Sequence, residues 1–178
     1  MRGGASTISA LALAELCYRT LLADGAPALE AIAAREVTPA LERIVEANTL
    51  LSGLGFESSG LAAAHAIHNG LTAVEATHRW MHGEKVAFGV IVQLMLESQP
   101  DAVVDEVLAF SASVGLPVTF AGIGLEKPEA EVLGRIARRA TAPGETIHNE
   151  PFAVTPEKVI EALRAADAAG ERFQRDHG

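Results

Sequence analysis

The 178 residues carry 23 Asp and Glu against 14 Lys and Arg, a net charge of -9, and 49% of them are hydrophobic with only 4% aromatic. That much apolar material can build a substantial core and excludes a wholly disordered chain. An acidic surface repels a phosphate backbone, so no nucleic-acid interface is expected, and the only basic cluster, Arg135, Arg138 and Arg139, has the helical spacing of a solvated face. Cys17 is the one cysteine; it rules out an intramolecular disulfide and fits a reducing, cytoplasmic setting. Among the apolar neighbours Leu13, Leu16 and Leu21 it reads as a buried helical thiol. Arg2 is followed by glycines and polar residues, unlike a signal peptide. No window offers about 20 apolar residues without charge, so no membrane helix is expected.

Residues 1–6 read as an untethered start. From Ser6 or Thr7, Ile8, Leu11, Leu13, Leu16, Tyr18, Leu21 and Leu22 recur at helical spacing until Asp24-Gly25. So much apolar surface implies burial on more than one side, or a partner. Pro27 starts a second, short helix through Arg35. Thr38 caps a third, with Pro39 as its first residue and Leu41, Ile44, Val45, Asn48 and Leu51 as its inner stripe. Asn48 in that stripe reads as a hydrogen-bonded core amide or as a tether to a nearby loop. Gly53, Gly55 and Gly60 surround Phe56 and permit a tight turn.

A fourth helix is expected from Ser59 to Leu71, with His65 and His68 three residues apart on similar sides. Thr72 to Met81, which holds His78, reads as a short bridge. A fifth helix starts near His82 or Gly83, and its first turn carries His82 and Glu84. A helix N-terminus disfavours a protonated imidazole, and the neutral ring is what a metal needs. The sixth helix runs from Asp101 to Val114, ended by Gly115 and Pro117; Val118-Thr119-Phe120 is taken as a loop. The seventh runs from Pro128 or Glu129 to Ala140. After a connector at His148 to Phe152, the eighth opens at Thr155-Pro156-Glu157 and reaches about Ala169, beyond which the end frays. The chain therefore reads as one all-α domain over residues 1–178, with about eight helices and no internal repeat. No glycine-rich strand-to-helix turn is present for a dinucleotide.

The six histidines are the chemistry-bearing groups, and four of them lie between positions 65 and 82. Imidazoles suit zinc and iron, and a catalytic centre usually combines three protein ligands with one open position. Spacing leaves three pairings open: His65 with His68 on one helix, His65 with His82 across two helices, or His78 with His82. Glu75 and Glu84 are available carboxylates, each of which also reads as a solvated or capping group.

The runs Thr38-Pro39-Ala40-Leu41-Glu42, Ile44 through Ser58, Gly60 through Gly70, and His82-Gly83-Glu84-Lys85-Val86-Ala87-Phe88-Gly89 resemble the bacterial glycerol dehydrogenases, within the iron-containing or metal-dependent alcohol dehydrogenase family. The similarity extends through Pro151-Phe152 and Thr155-Pro156-Glu157-Lys158-Val159. The resemblance implies a C-terminal, all-helical metal-binding domain, which in a complete member follows an N-terminal nucleotide-binding α/β domain. It implies zinc or another divalent metal held by one aspartate and two histidines, the histidine roles falling on His65 and His82. His68 and Phe56 then line the substrate pocket. The implied reaction is NAD-dependent oxidation of glycerol, or another small polyol, to dihydroxyacetone. The family aspartate falls upstream of Ser6 and matches no residue here, and the nucleotide domain has no counterpart. The chain is thus expected to be inactive in isolation, to need a separate nucleotide-binding chain, and to self-associate through apolar surface. The alternatives are a noncatalytic metal-binding or assembly fragment, and an inert remnant of a split or truncated gene.

Overall fold

The structure, a computed structural model, describes residues 5–177. The expected untethered start lies outside these residues at positions 1–4, as does the terminal Gly178; residues 5–7 precede the first helix without regular structure. Among the described residues there are eight α-helices and no strand, as the all-α reading requires. None of the helices is long and apolar enough to cross a membrane. The chain divides into two compact units, one ending at Gly60 and the other beginning at Leu61.

The first unit opens with α1, Ile8–Ala34, capped by the Thr7 side chain, which accepts from the Ala10 N–H. The expected break at Asp24-Gly25 and the separate helix from Pro27 do not occur: Pro27 sits inside α1. A proline removes one backbone donor from the ladder, and here the helix on both sides of it outweighs that local loss. The helix ends at Arg35, whose φ of 58° is left-handed and whose N–H reaches Ala31 and Ile32 carbonyls. Then α2, Pro39–Glu46, begins as read, with Thr38 accepting from the Leu41 N–H and Pro39 as the first residue.

A π-helical turn, Ala47–Leu51, carries α2 without a break into α3, Ser52–Ser59. Gly53 and Gly55 are therefore helical rather than turn glycines; Gly55 lets α3 approach α1, where an added Cβ would lie 3.8 Å from that of Ala14. Only Gly60, at φ 81°, breaks the path. Asn48 is exposed, which removes it from the core. The expected inner stripe is only partly buried: Leu51 is inside, Leu41 and Ile44 are half-buried, and Val45 is exposed. The unit's small core is Cys17, Ala47 and Leu51, with Leu13 and Leu21 packed against it. The Cys17 thiol donates to the Ala47 carbonyl at 3.7 Å, and burial pushes its pKa up. Much of the apolar surface of α1 is uncovered: Ile8 is 89% exposed, and Leu11, Leu16 and Ile32 are also exposed.

The second unit holds α4 (Ala63–Leu71), α5 (His82–Leu96), α6 (Asp101–Ser113), α7 (Ala130–Ala140) and α8 (Pro156–His177). The fourth helix starts at Ala63 rather than Ser59, and the last continues past Ala169 to His177. Between α4 and α5 the bridge contains one 3-10 turn, Glu75–Thr77, and Val118 to Phe120 is a loop. In the core, α4 packs on both α5 and α7, and α8 packs on α5 and α7. Ile67, Leu71, Phe88, Ile91, Ile136 and Leu163 are fully buried there. The crossing of α4 and α5 is close because position 89 is glycine: a Cβ there would stand 2.5 Å from the Ala64 carbonyl oxygen.

Candidate metal centre

The close crossing of α4 and α5 decides which histidines meet. His65 and His68 lie three residues apart on α4 and project from neighbouring faces. His82 is the first residue of α5. The ring centroids of His65 and His82 are 5.5 Å apart, and those of His68 and His82 are 4.3 Å apart, edge to face. Three of the four histidines in this stretch thus form one cluster. His78 is elsewhere, with its Nε2 2.9 Å from the Thr72 carbonyl oxygen. His148 and His177 are likewise engaged with backbone carbonyls, of Ala142 and Phe173.

The environment favours a neutral ring at His65 and His68. Partial burial lowers the His65 pKa, and the neighbouring His82 lowers it further. Burial also lowers the His68 pKa, the hydrogen bond to Asn69 opposes it, and His82, Lys85 and His65 add to the lowering. Lys85 lies one turn into α5 and is only 6% exposed. A neutral ring has an unprotonated nitrogen, the donor a divalent cation requires.

The rings differ in what they have left to offer. His68 has both nitrogens occupied: Nδ1 lies 3.1 Å from Asn69 Oδ1 and Nε2 lies 3.1 Å from His82 Nδ1. His82 keeps its Nε2, and the His65 ring has no hydrogen-bond partner among the described residues. Two imidazoles with lone pairs to give therefore fit part of a metal's donor set, while His68 packs beside them. Among the described residues, no group of three His, Cys, Asp or Glu side chains is arranged to hold a metal ion. Glu84 serves instead as the cap of α5, accepting from the Met81 N–H at 2.6 Å, and Glu75 is exposed on the bridge. Phe56 belongs to the first unit, on α3, and is 50% exposed.

The α4 end of the cluster is held by residues that sequence reasoning had not connected to it. The Ala63 N–H donates to Glu150 Oε1 at 3.0 Å and the Ala64 N–H to Gln93 Oε1 at 2.9 Å, so the first turn of α4 is capped from distant positions. Thr146 donates to the Ala62 carbonyl and Asn149 to that of Leu61. At the other end of α4, Asn69 donates to Glu145 Oε2 at 2.8 Å. The segment from Glu145 to Glu150 thereby clasps α4. The Asn that follows His68 was a visible polar residue, but nothing local in the sequence connects it with Glu145.

No protein-family profile matches the chain. The glycerol dehydrogenase of Pseudomonas putida is 56% identical to it over 173 residues, which are 97% of this chain and 47% of that enzyme. A glycolaldehyde reductase of Halobacterium salinarum is 52% identical over 172 residues, again 97% of this chain and 47% of the relative. The crystal structure of glycerol dehydrogenase from Schizosaccharomyces pombe aligns with a TM-score of 0.94 at 40% identity, covering 98% of this chain and 45% of that one. The chain spans about half the length of the curated relatives it matches. Near-complete coverage at this identity, joined to an all-helical fold of the kind their C-terminal domains adopt, means that the chain belongs to the glycerol dehydrogenase family.

Proposed function

We propose that this chain supplies the metal-binding half of an NAD-dependent polyol dehydrogenase that oxidises glycerol to dihydroxyacetone. The observation that carries the proposal is the meeting of His65 and His82 across the α4–α5 crossing, with a ring nitrogen left open on each. These two residues hold a divalent metal, zinc by family resemblance, and the remaining donors come from outside the described residues. When bound, such a metal polarises the alcohol oxygen and lowers its pKa. His68 is assigned to the substrate pocket. The chain's own part is to keep the His65 ring neutral by burial and to present His65 and His82 from two packed helices. NAD is bound by a nucleotide-binding part beyond these residues, because hydride transfer needs the nicotinamide held against the substrate carbon.

The test is zinc titration by calorimetry on mass-verified chain, alongside H65A, H82A and the double variant, with NADH absorbance followed in the presence of glycerol and NAD. Zinc binding that is lost in the double variant, without NADH formation, is the expected result. Undiminished zinc binding in the double variant would overturn the ligand assignment. Histidine-dependent NADH formation by the chain alone would overturn the placement of NAD outside it. Substrate is a separate question, and the 52% identity to a glycolaldehyde reductase favours small hydroxyaldehydes as a second class. Once a nucleotide-binding partner restores turnover, comparing glycerol oxidation with glycolaldehyde reduction decides between them. The exposed apolar face of α1 also supports self-association, which light scattering across a concentration series tests.

A further inference from the structure

We infer that Asn69 and Glu145 are positioning residues that fix the proton positions on His68 and His82, so that His82 presents a bare Nε2. The inference rests on the metal-site reading above and extends it to groups that touch no metal.

Each hydrogen bond in the row from Glu145 to His82 can run in only one direction. A carboxylate oxygen only accepts, so at the Asn69–Glu145 contact of 2.8 Å the amide nitrogen of Asn69 is the donor. That fixes the amide: its oxygen turns toward His68. The amide oxygen also only accepts, so the proton of this 3.1 Å contact is on His68 Nδ1. A neutral imidazole carries one proton, which leaves His68 Nε2 as a lone pair. His82 Nδ1, 3.1 Å away, must then donate to it. In a singly protonated His82 ring that proton is the one on Nδ1, and Nε2 is left with the lone pair.

Glu145 sets the polarity of the whole row because it is the only member that cannot reverse. Asparagine can flip and each imidazole can change tautomer, whereas the carboxylate has no hydrogen to give. It is itself held in place: its side chain is 10% exposed, and its other oxygen accepts from the Arg139 guanidinium. Arg139 comes from α7, Glu145 stands just before the 3-10 turn Thr146–Asn149, and Asn69 lies in the last turn of α4. Three separate elements thus converge to orient one ring on a fourth. Partners of this kind fix a ligand's tautomer and ring orientation in metal sites generally.

The test is long-range proton–nitrogen NMR on metal-free protein labelled with nitrogen-15 in histidine, which distinguishes Nδ1–H from Nε2–H rings. It is paired with zinc titration of the same samples. Wild-type protein should show Nδ1–H at both His68 and His82. Glu145→Gln keeps the side-chain shape but lets the amide of Asn69 turn, and should give mixed tautomers at both rings. Asn69→Leu should do the same and weaken zinc binding by about 10–100-fold. Glu145→Gln preserves the test if Asn69→Leu fails to fold. Nε2–H at His68 in the wild type, or unchanged tautomers in the folded Glu145→Gln variant, would overturn the inference. Tautomers that shift as expected in protein that never binds zinc would support the relay and refute the metal reading. Zinc binding that depends on His65 and His82 with tautomers indifferent to Glu145 would do the reverse.

Discussion

Replacing Gly89 with alanine tests whether the α4–α5 crossing sets both the stability of the second unit and the meeting of the imidazoles. The added Cβ would stand 2.5 Å from the Ala64 carbonyl oxygen, with the Ala64 carbonyl carbon and Cα at 3.2 and 3.3 Å. A relaxed carbon–oxygen contact is about 3.3–3.6 Å, so the backbones must part by roughly 1 Å. The obstacle is main chain and cannot swing aside as a side chain would. Overpacking of this kind costs about 1–3 kcal/mol, and alanine's better helix propensity returns up to about 1 kcal/mol. A net loss of roughly 0–3 kcal/mol, centred near 1.5 kcal/mol, is expected. The strain falls on the site, because Ala64 precedes His65, and Gly89 follows His82 by seven residues, two helical turns further on the same face of α5. Zinc affinity should therefore fall with stability. The control is Gly83→Ala in the same helix, where a Cβ meets nothing within 4 Å. It should be stabilising, by up to about 1 kcal/mol. Trp80 is the only tryptophan and lies in the second unit, so its fluorescence during denaturant unfolding reports that unit. Gly89→Ala unfolding at or above the wild-type midpoint, with zinc affinity intact, would refute the account of the crossing.

Three further outcomes are expected. Glu150→Leu leaves the buried Ala63 N–H without its acceptor and should destabilise the second unit by about 1–3 kcal/mol, read by the same Trp80 transition. Metal-free protein should lose stability as pH falls below about 6.5, the ordinary histidine value. The folded pKa values of His65 and His68 are lowered, so the unfolded chain takes up protons first and gains by acidification. Glu150 and Asp167, whose pKa values burial raises, act in the opposite sense at lower pH, so the measurement belongs above the carboxylate range. A flat midpoint between pH 7.5 and 5.5 in wild type, or the same slope in an H65A/H68A variant, would contradict the assignment. Cys17 should react slowly with a thiol reagent in native protein and fast in denaturant, since burial keeps the thiol protonated and covered.

Local chemistry was legible in the sequence wherever it was self-contained. Thr38-Pro39 announces a helix because the cap and the proline act within three residues of each other, and the expected start of α5 near His82 or Gly83 matches the observed His82. Errors arose where a local signal was weighed without its surroundings. Pro27 removes one hydrogen bond from a helix of 27 residues and does not end it. Gly53 and Gly55 looked like turn residues because glycine permits a turn; Gly55 is instead the surface on which Ala14 approaches. The start of α4 was misplaced for a third reason. Its caps are Glu150 and Gln93, which lie 87 and 29 positions from the N–H groups they satisfy, so no window around Ser59 could contain the signal.

The site divides along the same line. That His65 and His68 share a side of one helix follows from their spacing; that His82 joins them does not, and three pairings stayed open until the helices were packed. Resemblance chose His65 and His82, and the geometry adds a physical reason for treating His68 differently: both of its nitrogens are already engaged. Metal ligands are visible in a sequence because few residue types can serve. The groups that orient them are harder to see, since an asparagine and a glutamate 76 positions apart look like ordinary surface residues. Their meeting gives the row of hydrogen bonds its direction. A lone histidine can offer either nitrogen; one that donates into a neighbour whose proton is already placed can offer only the other. The choice of which His82 nitrogen stays bare therefore begins at Glu145, which stands on a different element from the ring it orients.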